Sequence, residues 1–393
     1  MSKPTGRVAA WDLIRGCAVL GILVVNMPYH AQVEGVLGNS LHDVAGERGI
    51  DWAAFAVVDF LATLKFIGLF SLLFGAGLAF QVDRGRERGG RWSSAILTRL
   101  SVLLLVGVLH GTLIWFGDIL TAYAILGFPL FYLLTSRLGV RGLLVLATLG
   151  LLFAWLTFSA VAFDPGWGDS DGDLGWAAIF ASGDVLWMTL WRSLLFLLVV
   201  PLTLLFFGGR LFGCMLLGAA LVRSGRLTDP ASHEGFFRKL SWLLPLGFGL
   251  ELVSFLLRLG EPDLTQRLLA HGAFYWGSFL LALSYLGFLT RWSLSSVASG
   301  LRRRLESVGQ MAFTNYLTQS ILCALLFNYL GFYDRWDRAE GFLIALAIFG
   351  LQLAWSPLWL ARFRQGPLEW AWRCLSQGRR LPLRRETSTP VLT

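Results

Sequence analysis

Charge is what this sequence has least of. Only 15% of its 393 residues are Asp, Glu, Lys or Arg, against roughly 25% in an ordinary soluble domain, while 55% are hydrophobic and 14% aromatic. A soluble chain of this size would divide its apolar residues into amphipathic stripes. Here they form unbroken runs such as Ile119 to Thr135 and Leu143 to Phe163, and runs of that length read as membrane spans. Cysteine is scarce too. The four present, Cys17, Cys214, Cys323 and Cys374, fall in spans or in a cytoplasmic tail, so no disulfide framework is expected. A Walker motif, a GxSxG elbow, a CxxC pair and a histidine cluster with metal spacing are all missing, which leaves soluble-style chemistries unsupported and predicts no metal. No small-residue cleavage signature follows the first apolar stretch, so that stretch is expected to stay as an uncleaved anchor.

A net charge of +8 and a pI near 9.7 would fit a nucleic-acid binder, but the basic residues lie in every second loop. Starting from Lys3 and Arg7, they recur as Arg84 to Arg99, Arg137 with Arg141, Arg223 to Lys239, Arg291 with Arg302 to Arg304, and Arg379 to Arg385. The loops between are acidic or mixed: Glu34, Asp43 and Glu47, then Asp118, then Asp164, Asp169, Asp171, Asp173 and Asp184. This positive-inside alternation explains the pI and excludes nucleic acid as a partner. It predicts an all-α, polytopic transmembrane bundle with both termini cytoplasmic, set among membrane lipids.

Hydrophobic length and loop charge place about ten spans, near residues 10–29, 53–82, 95–116, 119–135, 141–163, 188–222, 240–258, 269–290, 307–331 and 341–363. The sixth is too long for a straight crossing and is read as one crossing bent at Pro201 or at Gly208 and Gly209, with an interfacial piece. The first half of the second, Asp51 to Leu61, is read as interfacial, before Lys65. Asp164 to Asp184, with Pro165, Gly166, Gly168 and Gly172, is a flexible outer loop. No internal repeat is visible. One membrane domain, 1–378, is followed by a basic, disordered tail, 379–393.

Ionisable groups inside a bilayer cost roughly 2.5–3.5 kcal/mol each on the translocon scale, so they face a cavity or one another. In this chain they are Arg15, Asp59, Lys65, His110, Arg192, Arg210 and Glu251, with Asp118 at an outer hairpin. His110 could serve as a general base oriented by Asp118, or simply hydrogen-bond a backbone carbonyl between packed helices. Eight residues separate the two, roughly 12 Å along a continuous helix, so a turn at Gly117 has to fold the chain back. Arg15, about one turn inside the first span, suits a phosphate through its guanidinium fork, or a salt bridge to Asp12 or Glu369. Lys65, Arg192 and Arg210 either line the same basic cavity or pair with Asp59 and Glu251. The surplus of buried cations over acids favours an anionic or phosphate-bearing ligand. Thr314, Asn315, Thr318 and Gln319 read as helix glue ahead of substrate contact. Gly366-Pro-Leu-Glu369-Trp370-Ala-Trp372-Arg373 reads as an interfacial helix closing the inner face.

Five ordered motifs together resemble the YeiB-like bacterial membrane proteins, the family of domain of unknown function 418. They are Leu13-Ile-Arg15-Gly-Cys17-Ala-Val-Leu-Gly-Ile-Leu-Val-Val-Asn26, Lys65-Phe-Ile-Gly-Leu-Phe-Ser-Leu-Leu-Phe-Gly-Ala-Gly77, Leu109-His110 with Gly117-Asp118-Ile-Leu120, Thr314-Asn-Tyr316, and Gly366-Pro-Leu-Glu-Trp370. That family is distantly similar to membrane acyltransferases, including the acyltransferase type three group and the lysosomal glucosaminide acetyltransferase. The similarity implies transfer of an acyl group from a cytoplasmic coenzyme A thioester to an acceptor on the far side. The type three group carries an Arg followed by a His on its first span, where this sequence has Arg15 followed by Asn26. Asn cannot be a general base, so the base has to lie elsewhere, at His110 first and His30 second.

Two functions follow. In the first, acyl-CoA, such as acetyl-CoA, enters from the cytoplasm with Arg15 and Lys65 near its phosphates. His110 with Asp118 then deprotonates an acceptor hydroxyl, and Asn26 or Asn315 hydrogen-bonds the thioester oxygen. Arg210, Glu251, His30 and Glu369 complete the expected binding set. In the second, the protein is a transporter or lipid-handling protein whose buried charges line an anion pathway.

Overall fold

Apolar runs without water must satisfy their peptide groups internally, and the helix does this within one segment. A computed structural model describes residues 9–32, 49–136, 138–160, 163, 179–180, 184–259 and 262–385. The described part is all-helical apart from one isolated bridge between Phe363 and Arg384. The helices are α1 Ala9–Ala31, α2 Gly49–Leu61, α3 Lys65–Arg88, α4 Trp92–Leu113, α5 Leu120–Thr135, α6 Val140–Ala160, α7 Val185–Phe206 and α8 Gly208–Arg223. They continue as α9 Glu234–Ser241, α10 Leu244–Leu257, α11 Leu264–Leu294, α12 Ser299–Gln310, α13 Ala312–Cys323, α14 Arg338–Arg362 and α15 Pro367–Gln377. Among the described residues, eight helices are long and apolar enough to cross a membrane, and α5 is a shorter apolar one. Large side chains on their outer faces, such as Val145, Leu149, Leu197, Leu198, Leu343 and Leu358, are more than half exposed. A surface of that kind needs an apolar surrounding.

Three of the expected spans are divided. The second becomes α2 and α3, separated by a turn in which Leu64 takes φ +63°. α2 turns its acids inward and its apolar residues outward: Asp51 and Asp59 are buried, whereas Ile50, Trp52, Val57 and Leu61 are exposed. Asp51 accepts from the Ala339 amide at the start of α14 at 2.9 Å, and Asp59 meets Arg258, just beyond α10, at 2.8 Å. The sixth span breaks at Phe207, next to the glycine pair, and Pro201 stays inside α7. Phe196 of α7 packs on Gly111 near the end of α4, and the Phe206 carbonyl accepts from Thr157 near the end of α6. α7 therefore leans across one end of the bundle before α8 turns down along α6. The ninth span becomes the end of α12, α13 and a π-helix, Ala324–Tyr329, with the break at Met311.

α8 is the central post. Its Gly218 lies so close to α3 that a Cβ would sit 1.9 Å from the Leu72 carbonyl oxygen, and Gly75 of α3 stands in the same relation to Met215. Reciprocal glycines let two backbones pack at a distance that any side chain would prevent.

Both described ends of the chain lie at one end of the bundle. Trp11 donates to the Leu227 carbonyl at 2.9 Å, and Trp372 of α15 donates to the Arg99 carbonyl at 2.9 Å. Residues 381–385, expected to be part of a disordered tail, instead return alongside the end of α14. Arg364 N donates to Leu383 O at 2.9 Å and Arg385 N to Arg362 O at 3.1 Å. The rest of the expected tail, 386–393, lies outside the described residues, as do Lys3, Arg7, Arg137, the loop acids Glu34, Asp43 and Glu47, and Asp164 to Asp173.

Candidate functional site

The reversal between α4 and α5 creates the first half of the site. α4 ends at Leu113, the chain turns through residues 114–119, and Asp118 comes back beside His110. His110 Nδ1 lies 2.8 Å from Asp118 Oδ1, and both side chains are buried. The second oxygen, Asp118 Oδ2, accepts from the Thr121 amide at 2.7 Å, so the carboxylate also caps the start of α5. Close packing fixes the turn: a Cβ on Gly107 would lie 2.6 Å from Thr121 N and 2.9 Å from Asp118 Oδ2. With its Nδ1 on a carboxylate, the imidazole presents Nε2, which has no hydrogen-bond partner. An imidazole held in this way is able to take up a proton at Nε2 from a group placed against it.

The second half is a cavity of about 870 Å³ at the end of the bundle where the two chain ends meet. Its lining is divided by chemistry. Arg15, Arg88, Arg99, Arg364, Arg373 and Arg379 surround it, contributed by α1, α3, α4, the segment after α14, and α15 with its following residues. Phe70, Leu73, Phe74, Leu100, Leu103 and Tyr123 line its apolar part, which also includes Ile119 and Tyr316. These last two adjoin the dyad: Ile119 follows Asp118, and the Tyr316 ring lies 5.4 Å from the His110 ring. Basic residues, apolar residues and, next to Ile119 and Tyr316, the His110–Asp118 pair are thus neighbours in the bundle.

Beyond His110, towards the opposite end, Trp115 stacks on His30 at 4.2 Å and stands 6.4 Å from His110. Asn26 is half-buried on α1, one turn before His30. Arg15 lines the cavity, His110 and Asp118 adjoin it through Tyr316 and Ile119, and His30 is linked to His110 through Trp115.

Other expected site residues lie elsewhere. Lys65, Arg192 and Arg210 do not line the cavity with Arg15. Lys65 Nζ pairs with Glu251 Oε1 at 2.8 Å and donates to the Asp59 carbonyl at 2.6 Å. Arg210 donates to Tyr275 O at 2.8 Å and Ser278 Oγ at 3.0 Å, under the Tyr275 ring. Asn315 is used up as helix glue: its amide donates to Val308 O and Ser356 Oγ, and its oxygen accepts from Trp355. Glu369 borders the cavity but caps α13, accepting from Phe313 N at 2.8 Å, Thr314 N at 3.0 Å and Thr314 Oγ1 at 2.5 Å. Burial pushes its carboxyl above the usual range, against the pull of those bonds. Among the described residues no group of three or more His, Cys, Asp or Glu could hold a metal ion. Sequence reasoning missed the rim arginines: Arg88, Arg99 and Arg379 read as positive-inside loop charge, Arg373 as part of the interfacial helix, and Arg364 drew no reading of its own. The motif containing Tyr316 pointed to its segment, but nothing in it pointed to His110.

Residues 221–379 match the family described as "Protein of unknown function (DUF418)". Over 390 residues the chain is 33% identical to "Uncharacterized protein YxaH" of Bacillus subtilis (strain 168), covering 93% of each. Over 395 residues it is 32% identical to "Uncharacterized protein YeiB" of Escherichia coli (strain K12), covering 93% of this chain and 95% of that one.

Proposed function

Since the chain belongs to the YeiB-like DUF418 family, we propose that it is a bacterial inner-membrane acyltransferase. It takes an acyl group from acyl-CoA at the arginine-rich end, which faces the cytoplasm, and passes it to an acceptor hydroxyl from the opposite side. One observation carries the reading: the cavity of about 870 Å³ joins arginines to an apolar part lined by Ile119 and Tyr316, the immediate neighbours of the His110–Asp118 pair. Guanidinium forks suit the phosphates of coenzyme A, and the apolar part suits the pantetheine arm and acyl chain.

In the reaction, His110 Nε2 accepts the acceptor's hydroxyl proton as the hydroxyl oxygen attacks the thioester carbonyl. The C–S bond breaks, and the proton passes to the departing thiolate. Asp118 holds Nδ1–H and stabilises the imidazolium in between. The alternative, a transporter or lipid-handling protein, draws support from the buried Lys65–Glu251 pair and the half-buried Asp59–Arg258 pair, both outside the cavity.

Binding of acetyl-CoA and longer acyl-CoA thioesters to detergent-purified protein separates the two. Saturable binding that is lost in Arg15→Ala and kept in His110→Ala is the expected result. Well-folded protein that binds no thioester would overturn the acyltransferase reading in favour of transport.

A further inference from the structure

Arg192 is a buried cation with no carboxylate partner among the described residues. It lies on α7, is 1% exposed, and forms no salt bridge among the described residues. Its one short bond runs from Nη1 to Leu113 O at 2.8 Å. Nη2 reaches Asn328 Oδ1 only at 3.5 Å, at the outer limit of a useful hydrogen bond. Tyr329 is a further side-chain partner, so Arg192 is held by neutral groups and its positive charge meets no carboxylate among the described residues, in a place where an uncompensated charge is expensive.

The surroundings have the same bias. Trp115 Nε1–H and the Tyr333 hydroxyl are buried with no hydrogen-bond partner. Phe180 links the two ends of the group, 5.4 Å from the Tyr333 ring and 5.9 Å from the Arg192 guanidinium. Asn328 and Tyr329, which face Arg192, are carried by the π-helix, a form that recurs at functional sites because it re-aims side chains. The patch is therefore rich in donors, positively charged, and short of acceptors. His30, stacked on Trp115, lies within electrostatic reach of both Arg192 and His110, and neither Arg192 nor Trp115 lines the basic-rimmed cavity.

We propose that Arg192, with Trp115 Nε1–H and Tyr333 O–H, holds the phosphate of the acyl acceptor, a phosphate ester that carries the reacting hydroxyl beside its charge. This rests on the acyltransferase reading and gives it an acceptor class. The hydroxyl faces His110 Nε2 while the phosphate stays on Arg192, and the transfer follows the proton path already described. α7 also exposes Trp187, Leu190 and Leu194, so the patch is one helix away from the surrounding lipid. A lipid headgroup and a soluble glycerol phosphate present the same chemistry here.

Calorimetry on the full chain in an uncharged maltoside detergent tests this with four probes: short-chain phosphatidylglycerol, short-chain phosphatidylcholine, sn-glycerol 3-phosphate and acetyl-CoA. Wild type should bind phosphatidylglycerol saturably and more tightly than phosphatidylcholine. Arg192→Gln should weaken that binding at least about tenfold, as loss of a charge-assisted bond implies, and Arg192→Lys should recover part of it. Acetyl-CoA should bind all three proteins alike. Equal, Arg192-dependent binding of glycerol 3-phosphate would assign the soluble source, and its absence the lipid one. If Arg192→Gln does not fold, Trp115→Phe removes one donor, keeps an aromatic ring, and should weaken phosphatidylglycerol binding several-fold. Affinities for both phosphate esters that are unchanged in these variants, or no binding of either to wild type, overturn the proposal. Arg192-dependent phosphate binding without acetyl-CoA binding would keep the anion site and overturn the transferase reading.

Discussion

His110 Nδ1 and Asp118 Oδ1 lie 2.8 Å apart because the chain reverses between α4 and α5. The same carboxylate caps α5 through Thr121 N, so orientation of the imidazole and formation of the turn depend on one side chain. Asp118→Asn keeps an oxygen for the Thr121 amide but can no longer stabilise an imidazolium. Thiol release from acetyl-CoA should fall about 10²- to 10⁴-fold at a nearly unchanged melting temperature. An undiminished rate would mean that Asp118 has only the capping role.

Gly107 tests the same geometry from the other side. A methyl group there meets Thr121 N and Asp118 Oδ2 at under 3 Å. Gly107→Ala should lower stability by about 1–3 kcal/mol, the usual range for overpacking, and should reduce activity along with Asp118→Asn. Thermal unfolding in detergent, compared with thiol release, checks both parts.

The α3–α8 contact makes a purely structural prediction. Gly218→Ala puts a Cβ 1.9 Å from Leu72 O and should destabilise by about 1–3 kcal/mol or more. Gly235→Ala, where nothing lies within 4 Å, should stay within about 0.5 kcal/mol of wild type. Similar melting temperatures for the two would contradict the close approach of α3 and α8.

Glu369 gives a pH dependence with a defined sign. Its carboxyl is raised in the folded protein by burial, above about 4.3 for an unperturbed Glu. The docking of α15 on α13 is therefore favoured by protonation. That contribution is complete below the unfolded value and is lost as pH rises through the raised one. Hydrogen exchange at the Phe313 and Thr314 amides should quicken over that window in wild type and lose this dependence in Glu369→Gln. An identical pH profile in the variant would assign the titration to another group.

Rim charge should act on affinity. Arg99→Gln and Arg373→Gln should each weaken acetyl-CoA binding by up to about tenfold, and added salt should weaken wild-type binding in the same direction. Insensitivity to both would detach the rim from the ligand's phosphates.

Much of the fold could be read from the chain because hydropathy and length are local properties. The runs that became α1, α4, α6, α10, α11 and α14 stand out without tertiary information, and the break near Gly208 is marked by its glycines. The site was legible only where its parts are close in sequence. His110 and Asp118 share one hairpin, so a single turn could be inferred between them. Arg15 was found because a cation one turn inside an apolar run is unusual. The other rim arginines come from segments far apart in the chain, and each resembles ordinary loop charge until packing brings them together. Asn315 and Lys65 show the converse. A polar group in a span looks the same in sequence whether it meets a ligand or a neighbouring helix, and only the partners, Ser356 and Trp355 for Asn315 or Glu251 for Lys65, separate the cases.

The rim draws Arg15 from the first helix and Arg379 from just beyond the last. During synthesis the cavity cannot be whole until the chain through Arg379 has left the ribosome, however early the individual helices enter the bilayer. A chain stopped after α14 would hold the dyad and the apolar depth but lack the part of the rim that closes over them. Emergence of α15 and Arg379 is thus also the step that completes the rim.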